Sequence, residues 1–258
     1  MRYIDKMLKT RIIPILLYKD LGLVKGIKFD SWRRVGSAMQ AIKVYNLREV
    51  DEMVFLDITA TVNNCQPDFD LIDELADDCF MPMTVGGGVR TIEHVRRLLE
   101  VGADKVAINS IAVENPDLIN EASKKFGAQC VVVSIDAKKT NDGQYEVYTH
   151  SGTKPSGLSP VKLAKQVESL GCGEILLTSI DRDGTMDGYD SDLIRSVTES
   201  VSIPVIASGG AGNYEHMLNA LVEGKASAIA AASIFHFTQQ TPLEAKRYLF
   251  DNGIRVRL

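Results

Sequence analysis

The sequence predicts an α/β chain folded as one (β/α)8 TIM barrel built from two similar half-barrels. Three observations predict it. Eight short apolar runs alternate with amphipathic stretches, no Ser/Gly-rich linker divides residues 1–258, and one half of the chain maps onto the other. Single barrels run to about 250 residues, so the length suits one domain of this kind. At 45% hydrophobic and 24% charged residues the composition is that of a folded, core-forming chain rather than a disordered one.

The strand candidates, in order, are Arg11–Leu17, Met53–Ile58, Pro82–Val85, Lys105–Asn109, Cys130–Asp136, Glu174–Ile180, Ile203–Ser208 and Ser227–Ala232. Their continuous apolar character suits parallel strands buried on both faces. Helices are expected between them. Asn115-Pro116, Ser159-Pro160 and Thr241-Pro242 each set a capping residue before a proline at the first helical position. Thr241 with Glu244 fits a capping box, and Ile92, Val95, Leu98 and Leu99 share one helical face. With an offset of 122 residues Pro82 falls on Pro204, Gly87 on Gly209, His94 on His216 and Glu52 on Glu174. A one-residue slip then sets Ser110 on Ser233, the pattern of a duplicated half-barrel.

Charge and composition narrow the function. A net charge of −5 with no basic run argues against electrostatic nucleic-acid binding. The apolar runs are too short to span a membrane, and Met1–Thr10 lacks a signal-peptide core. Cys65, Cys79, Cys130 and Cys172 form no Cys-x-x-Cys pair and are expected to be buried, reduced thiols of a cytoplasmic protein. No cofactor and no metal site is expected.

Gly87-Gly88 and Gly209-Gly210 end the third and seventh predicted strands, on the face where barrels carry their active sites. Glycines there let backbone N–H groups approach an anion. The next strands end in Asn109-Ser110 and Ala232-Ser233, whose hydroxyls complete two candidate phosphate cradles, with the N–H groups of Gly88 and Gly210 expected to be free to donate. Tight β–α turns explain one glycine pair equally well. Two symmetry-related pairs, each followed by a serine, point to a substrate phosphorylated at both ends.

Several segments resemble the cyclase subunit of imidazole glycerol phosphate synthase: Arg11-Ile-Ile-Pro14, Phe55-Leu-Asp-Ile-Thr59, Thr84-Val-Gly-Gly-Gly88, Gly102-Ala-Asp-Lys-Val106, Ile135-Asp-Ala-Lys138, Asp181-Arg-Asp-Gly-Thr185, Ala207-Ser-Gly-Gly-Ala-Gly212 and Phe235-His-Phe237. The resemblance implies a barrel paired with a glutaminase subunit, whose ammonia passes along the barrel interior to a bisphosphorylated substrate. It implies an ammonia gate of Arg11, Glu52, Lys105 and Glu174 at the barrel foot, with Asp104 at the partner interface. Surface ion pairing is the other reading of those four residues. The resemblance further implies Lys25 and Thr178 near the substrate, and Gly184 and Ser208 among the phosphate ligands. Asp183 either acts on substrate or holds its own loop.

The family's acid/base pair is two aspartates at the ends of strands 1 and 5. The second matches Asp136, but the first position is Leu17. The internal repeat finds the same gap, because Ile12–Leu17 lies over Val131–Asp136 and sets Leu17 opposite Asp136. Leucine neither donates nor accepts a proton. Asn46–Asp51, Gln66–Phe69 and Cys79–Pro82 look more like paralogues that serve surface-polysaccharide clusters beside an ATP-dependent sugar amidotransferase. Three functions follow as expectations. The first is an ammonia-conducting subunit for acetamidino-sugar synthesis with weak or lost cyclase activity. The second is a working histidine-pathway cyclase. The third is a barrel enzyme acting on a sugar bisphosphate without ammonia, which leaves the gate residues unexplained.

Overall fold

The computed structural model describes residues 9–258, so most of the Met1–Thr10 stretch lies outside the described residues. The chain runs β1 (Arg11–Lys19), β2 (Gly22–Ile27), β3 (Asp30–Gly36), α1 (Ala38–Leu47), β4 (Met53–Asp57), α2 (Phe69–Asp77), β5 (Met83–Gly86), α3 (Ile92–Glu100), β6 (Lys105–Ile108), α4 (Ser110–Glu114) and α5 (Asp117–Phe126). It continues with β7 (Val131–Lys139), β8 (Tyr145–Thr149), β9 (Lys154–Pro155), α6 (Pro160–Ser169), β10 (Glu174–Ser179), α7 (Ser191–Thr198), β11 (Val205–Ser208), α8 (Tyr214–Val222), β12 (Ala228–Ala231), α9 (Ser233–Phe237) and α10 (Pro242–Asp251).

Eight of these strands pair in parallel as β1–β4–β5–β6–β7–β10–β11–β12, and β12 returns to β1 with Arg11 opposite Ala228. The result is a closed eight-stranded parallel barrel with helices between its strands, the (β/α)8 fold. Its bore holds Ile13, Ile15, Val54, Val132, Leu176, Ile206, Ala228 and Ala230, all buried. A second, larger core lies between the strands and the helix ring, where Val95 and Leu98 of α3 are fully covered. Side chains alternate between these two cores along each strand, which is why the strands read as unbroken apolar runs.

The terminal helix is tied in by charge. Lys246, 3% exposed on α10, donates to Asp51 Oδ1 at 2.8 Å and to the Glu49 carbonyl at 3.2 Å, and Asp51 Oδ2 takes the Ile12 N–H at 3.1 Å. Thr241 and Glu244 form the expected capping box, and Ser159 accepts from the Lys162 N–H. The two halves also cap alike: Thr91 accepts from the His94 N–H, and Asn213 from the His216 N–H.

Three expectations are corrected. Four further strands exist, paired as β2–β3 and β8–β9, with β2 also on β1 and β8 on β7. They are antiparallel extensions of the loops after β1 and β7. The β2–β3 turn at Lys28-Phe29 has φ of 53° and 61° without the glycine or asparagine that normally marks such a turn. Second, Asn115 does not cap: Pro116 already has helical angles and α5 begins at Asp117. Third, of the four free cysteines only Cys172 is fully buried, Cys79 and Cys130 are half-buried, and Cys65 is exposed in the loop after β4. Burial pushes the Cys172 thiol up to about 12, so it stays protonated.

Candidate functional site at the barrel mouth and foot

A cavity of about 280 Å³ opens at the C-terminal ends of the barrel strands. Strand order fixes who faces whom. Strands β1 and β7 lie four places apart in a ring of eight, as do β5 and β11, and β6 and β12. Leu17 and Asp136 therefore stand on opposite walls, and so do the loops of Gly87-Gly88 and Gly209-Gly210. Both sets line the cavity.

Asp136, 8% exposed at the end of β7, is a strongly perturbed carboxyl of the mouth. Burial first and the charge of Asp183 second push it up to about 7, while hydrogen bonds from Ser134, Asn109 and Thr178 pull the other way. Asn109 Nδ2 donates to Asp136 Oδ2 at 3.0 Å. A carboxyl poised near neutrality can both give and take a proton. On the β10 side Lys25 Nζ sits 2.7 Å from both oxygens of Asp183, with the lysine 2% exposed. Burial still raises the Asp183 carboxyl, against the pull of that ammonium. The pair joins β2 to the loop after β10, and the Lys28 N–H bonds the Asp183 carbonyl at 2.7 Å. Gly184 lies so near that a Cβ there would stand 2.2 Å from the Gly26 carbonyl oxygen. The β2–β3 hairpin thus closes one side of the mouth. Leu17, with Ile15 and Leu56, makes the wall facing Asp136 apolar.

The two glycine turns are built alike but are not equally free. Gly87 and Gly88 have φ of 113° and 71°, and Gly209 and Gly210 have φ of 91° and 110°. A Cβ at Gly210 would lie 2.1 Å from the Gly188 carbonyl oxygen, so only glycine fits there. Beyond them, Asn109 and Ala232 hold similar backbone angles ahead of the matching short helices α4 and α9. Ser208 and Ser233 are buried, and the Ser233 hydroxyl has no hydrogen-bond partner. The expectation that both glycine N–H groups are free is corrected at Gly88, whose N–H reaches Thr61 Oγ1 at 3.3 Å. Ser110 is occupied too, donating to Asn109 Oδ1 at 3.2 Å and accepting the His150 N–H at 3.0 Å.

At the opposite, N-terminal end Arg11, Glu52, Lys105 and Glu174 meet in one closed ring. Arg11 bonds Glu52 and Glu174, and Lys105 Nζ lies 2.9 Å from Glu52 and 2.7 Å from Glu174. Thr84 Oγ1 adds a 3.0 Å hydrogen bond to Glu52. For Glu174 burial works to raise the carboxyl, but Arg11 and Lys105 outweigh it and hold it below the usual range. Burial likewise opposes the Arg11 charge, and the two glutamates overcome it. Each charge is countered by two of opposite sign, which is what a partly buried ionic cluster needs. Asp104 is exposed beside the ring and accepts the Met83 N–H at 2.8 Å.

Over residues 11–241 the chain matches the family described as "Histidine biosynthesis protein". It belongs to that family.

Within this histidine-biosynthesis barrel the candidate residues divide cleanly, fifteen lining the mouth cavity and Arg11, Glu52, Lys105, Glu174 and Asp104 at the foot. Some residues escaped the sequence reading. Ser134 carries a polar atom toward Asp136 from mid-strand, and strand periodicity could have shown that it shares a face with Asp136. Thr84 was visible at the foot by the same rule. His150 and Arg90 enter the cavity from loops, where periodicity carries no signal, and Trp32 enters it from β3 of the added hairpin. No helix among the described residues is long and apolar enough to cross a membrane.

Proposed function

We propose that this chain is the barrel subunit of a glutamine-dependent amidotransferase complex, conducting ammonia from a glutaminase partner to the mouth, with cyclase chemistry weak or lost. The observation that carries the conducting role is the ring of four paired charges across the foot of an apolar bore. An apolar bore suits neutral ammonia and rejects ammonium, whose desolvation costs far more. Lys25, Asp183 and the two glycine turns, with Gly184, Thr178, Ser208 and Ser233, give the mouth the groups for a phosphorylated small molecule. Leu17 removes one of the two proton-transfer groups a cyclase uses. The resemblance of Asn46–Asp51 and Cys79–Pro82 to the surface-polysaccharide paralogues favours an acetamidino group on a nucleotide-linked sugar as the product, made beside an ATP-dependent sugar amidotransferase.

A second reading, a working cyclase of histidine biosynthesis, is favoured by one specific observation. Asp136 is held near neutrality within a complete polar set of Ser134, Asn109 and Thr178, and one such group could serve in both directions. Turnover decides between them. The purified chain, given ammonium and the bisphosphorylated histidine precursor, is expected to form little imidazole product. Leu17→Asp should raise that rate by about 100-fold or more, the usual contribution of a positioned acid or base, and Asp136→Asn in the same chain should abolish the gain. Parent turnover in the ordinary enzymatic range of about 1 to 1,000 per second would establish the cyclase instead.

A further inference from the structure

The two glycine turns of the mouth differ in one respect that the internal repeat does not foretell. On the Ser233 side the buried hydroxyl is unpartnered. On the Ser110 side both small donors are engaged, the Gly88 N–H with Thr61 and the Ser110 hydroxyl with Asn109. That side instead receives a histidine from the loop between β8 and β9. His150 lines the cavity together with Gly88 and Ser110, and its own N–H holds Ser110 Oγ at 3.0 Å.

The backbone there is held in an unfavourable form. His150, Ser151 and Gly152 have successive φ of 53°, 55° and 79°. Two consecutive non-glycine residues in the left-handed region are costly, and such strain persists where surrounding contacts fix it. The contacts are present: Ser151 Oγ donates to the Ile58 carbonyl at 2.6 Å, and a Cβ at Gly152 would lie 2.8 Å from the Phe29 ring. The turn directs the imidazole to the rim of the cavity. Its Nδ1 lies 3.1 Å from Thr149 Oγ1, and its Nε2 lies 3.7 Å from a Glu114 oxygen, too long for a hydrogen bond. Lys154 Nζ stands 3.8 Å from the same oxygen. A carboxylate at the rim would repel an anion. His150 and Lys154 flank it, and with Nδ1 facing Thr149 Oγ1 the imidazole Nε2 is the ring nitrogen left without a hydrogen-bond partner.

We propose that His150 is the side-chain ligand of an anion site at the Gly88–Ser110 turn, taking a phosphate monoester through Nε2, and that the two ends of the mouth bind phosphate by different means. The opposite site relies on neutral donors, the Gly210 N–H and the Ser233 hydroxyl. This inference rests on the reading of both glycine turns as phosphate sites and adds which residue completes one of them.

The probe is inorganic phosphate, titrated into the full chain with its four histidines 15N-labelled, so that imidazole signals report on each ring. His150→Asn is the variant, because asparagine tolerates the left-handed conformation, and Ser233→Ala is its counterpart. Two binding events are expected in the parent. His150→Asn should weaken one of them about tenfold or more, the usual effect of a hydrogen bond to a charged group, and leave the other unchanged. Ser233→Ala should do the converse, and the imidazole signal lost in His150→Asn should be the one that shifts with phosphate in the parent. Retention of the Ser233-side event shows that His150→Asn is folded. Two events that both ignore His150→Asn, or both weaken with it, would overturn the role of His150 while leaving the phosphate reading intact. No binding at either site would overturn both.

Discussion

Asp136 shows what a single position does to this barrel. Its carboxyl is buried at the end of β7 and pushed up to about 7. The folded value lies above the ordinary carboxylate value, so the folded state holds this proton more tightly than the unfolded chain does. The stability this contributes is complete below about pH 4 and is lost as pH rises through about 7. Asp136→Asn keeps the shape without the charge. It should be close to neutral at pH 5 and stabilising by roughly 2 kcal/mol at pH 8, read from urea unfolding at the two pH values. Equal effects at both would mean that Asp136 titrates normally. Both Leu17 and Asp136 are legible in the sequence, because strand ends and the repeat locate them. The perturbation of Asp136 is not legible, since it arises from burial in the closed barrel and from the charge of Asp183 in the loop after β10, against hydrogen bonds from Ser134, Asn109 and Thr178.

At the scale of elements, the barrel strands and their caps follow from local chemistry, and the observed strand boundaries differ from the expected ones by no more than a few residues. The hairpins were missed because β2, β3, β8 and β9 are stabilised by pairing onto the ends of β1 and β7 rather than by an apolar period of their own. The attachment of α10 was missed for a related reason: Lys246 reads as one charge on an amphipathic helix, yet it is buried on Asp51. Lys246→Met would leave Asp51 with the Ile12 N–H but without its cation. It should destabilise by about 3 kcal/mol, as breaking a buried pair does, while Lys246→Met with Asp51→Asn should recover part of that loss. Thermal unfolding of the two variants checks it, and a single variant as stable as the parent would mean that the pair is solvated.

At the scale of the whole molecule, the barrel separates a charged foot from a mouth lined by the two glycine turns and the Lys25–Asp183 pair. On the proposed function the foot receives a glutaminase. The chain and a glutaminase encoded beside it should elute together in size-exclusion chromatography, and Asp104→Arg, which reverses an exposed charge there, should weaken the complex about tenfold or more through charge complementarity. Separate elution of the parent proteins would count against the conducting role. The sequence by itself determined the eight barrel strands, the internal repeat, the two glycine turns and Leu17 opposite Asp136, because each is written in local period or in spacing along one chain. Only the tertiary structure decided that Arg11, Glu52, Lys105 and Glu174 close into a ring, that Lys25 pairs with Asp183, and that His150 reaches the Ser110 turn. Those contacts join residues far apart in sequence, and their geometry is set by barrel closure, which no local pattern encodes.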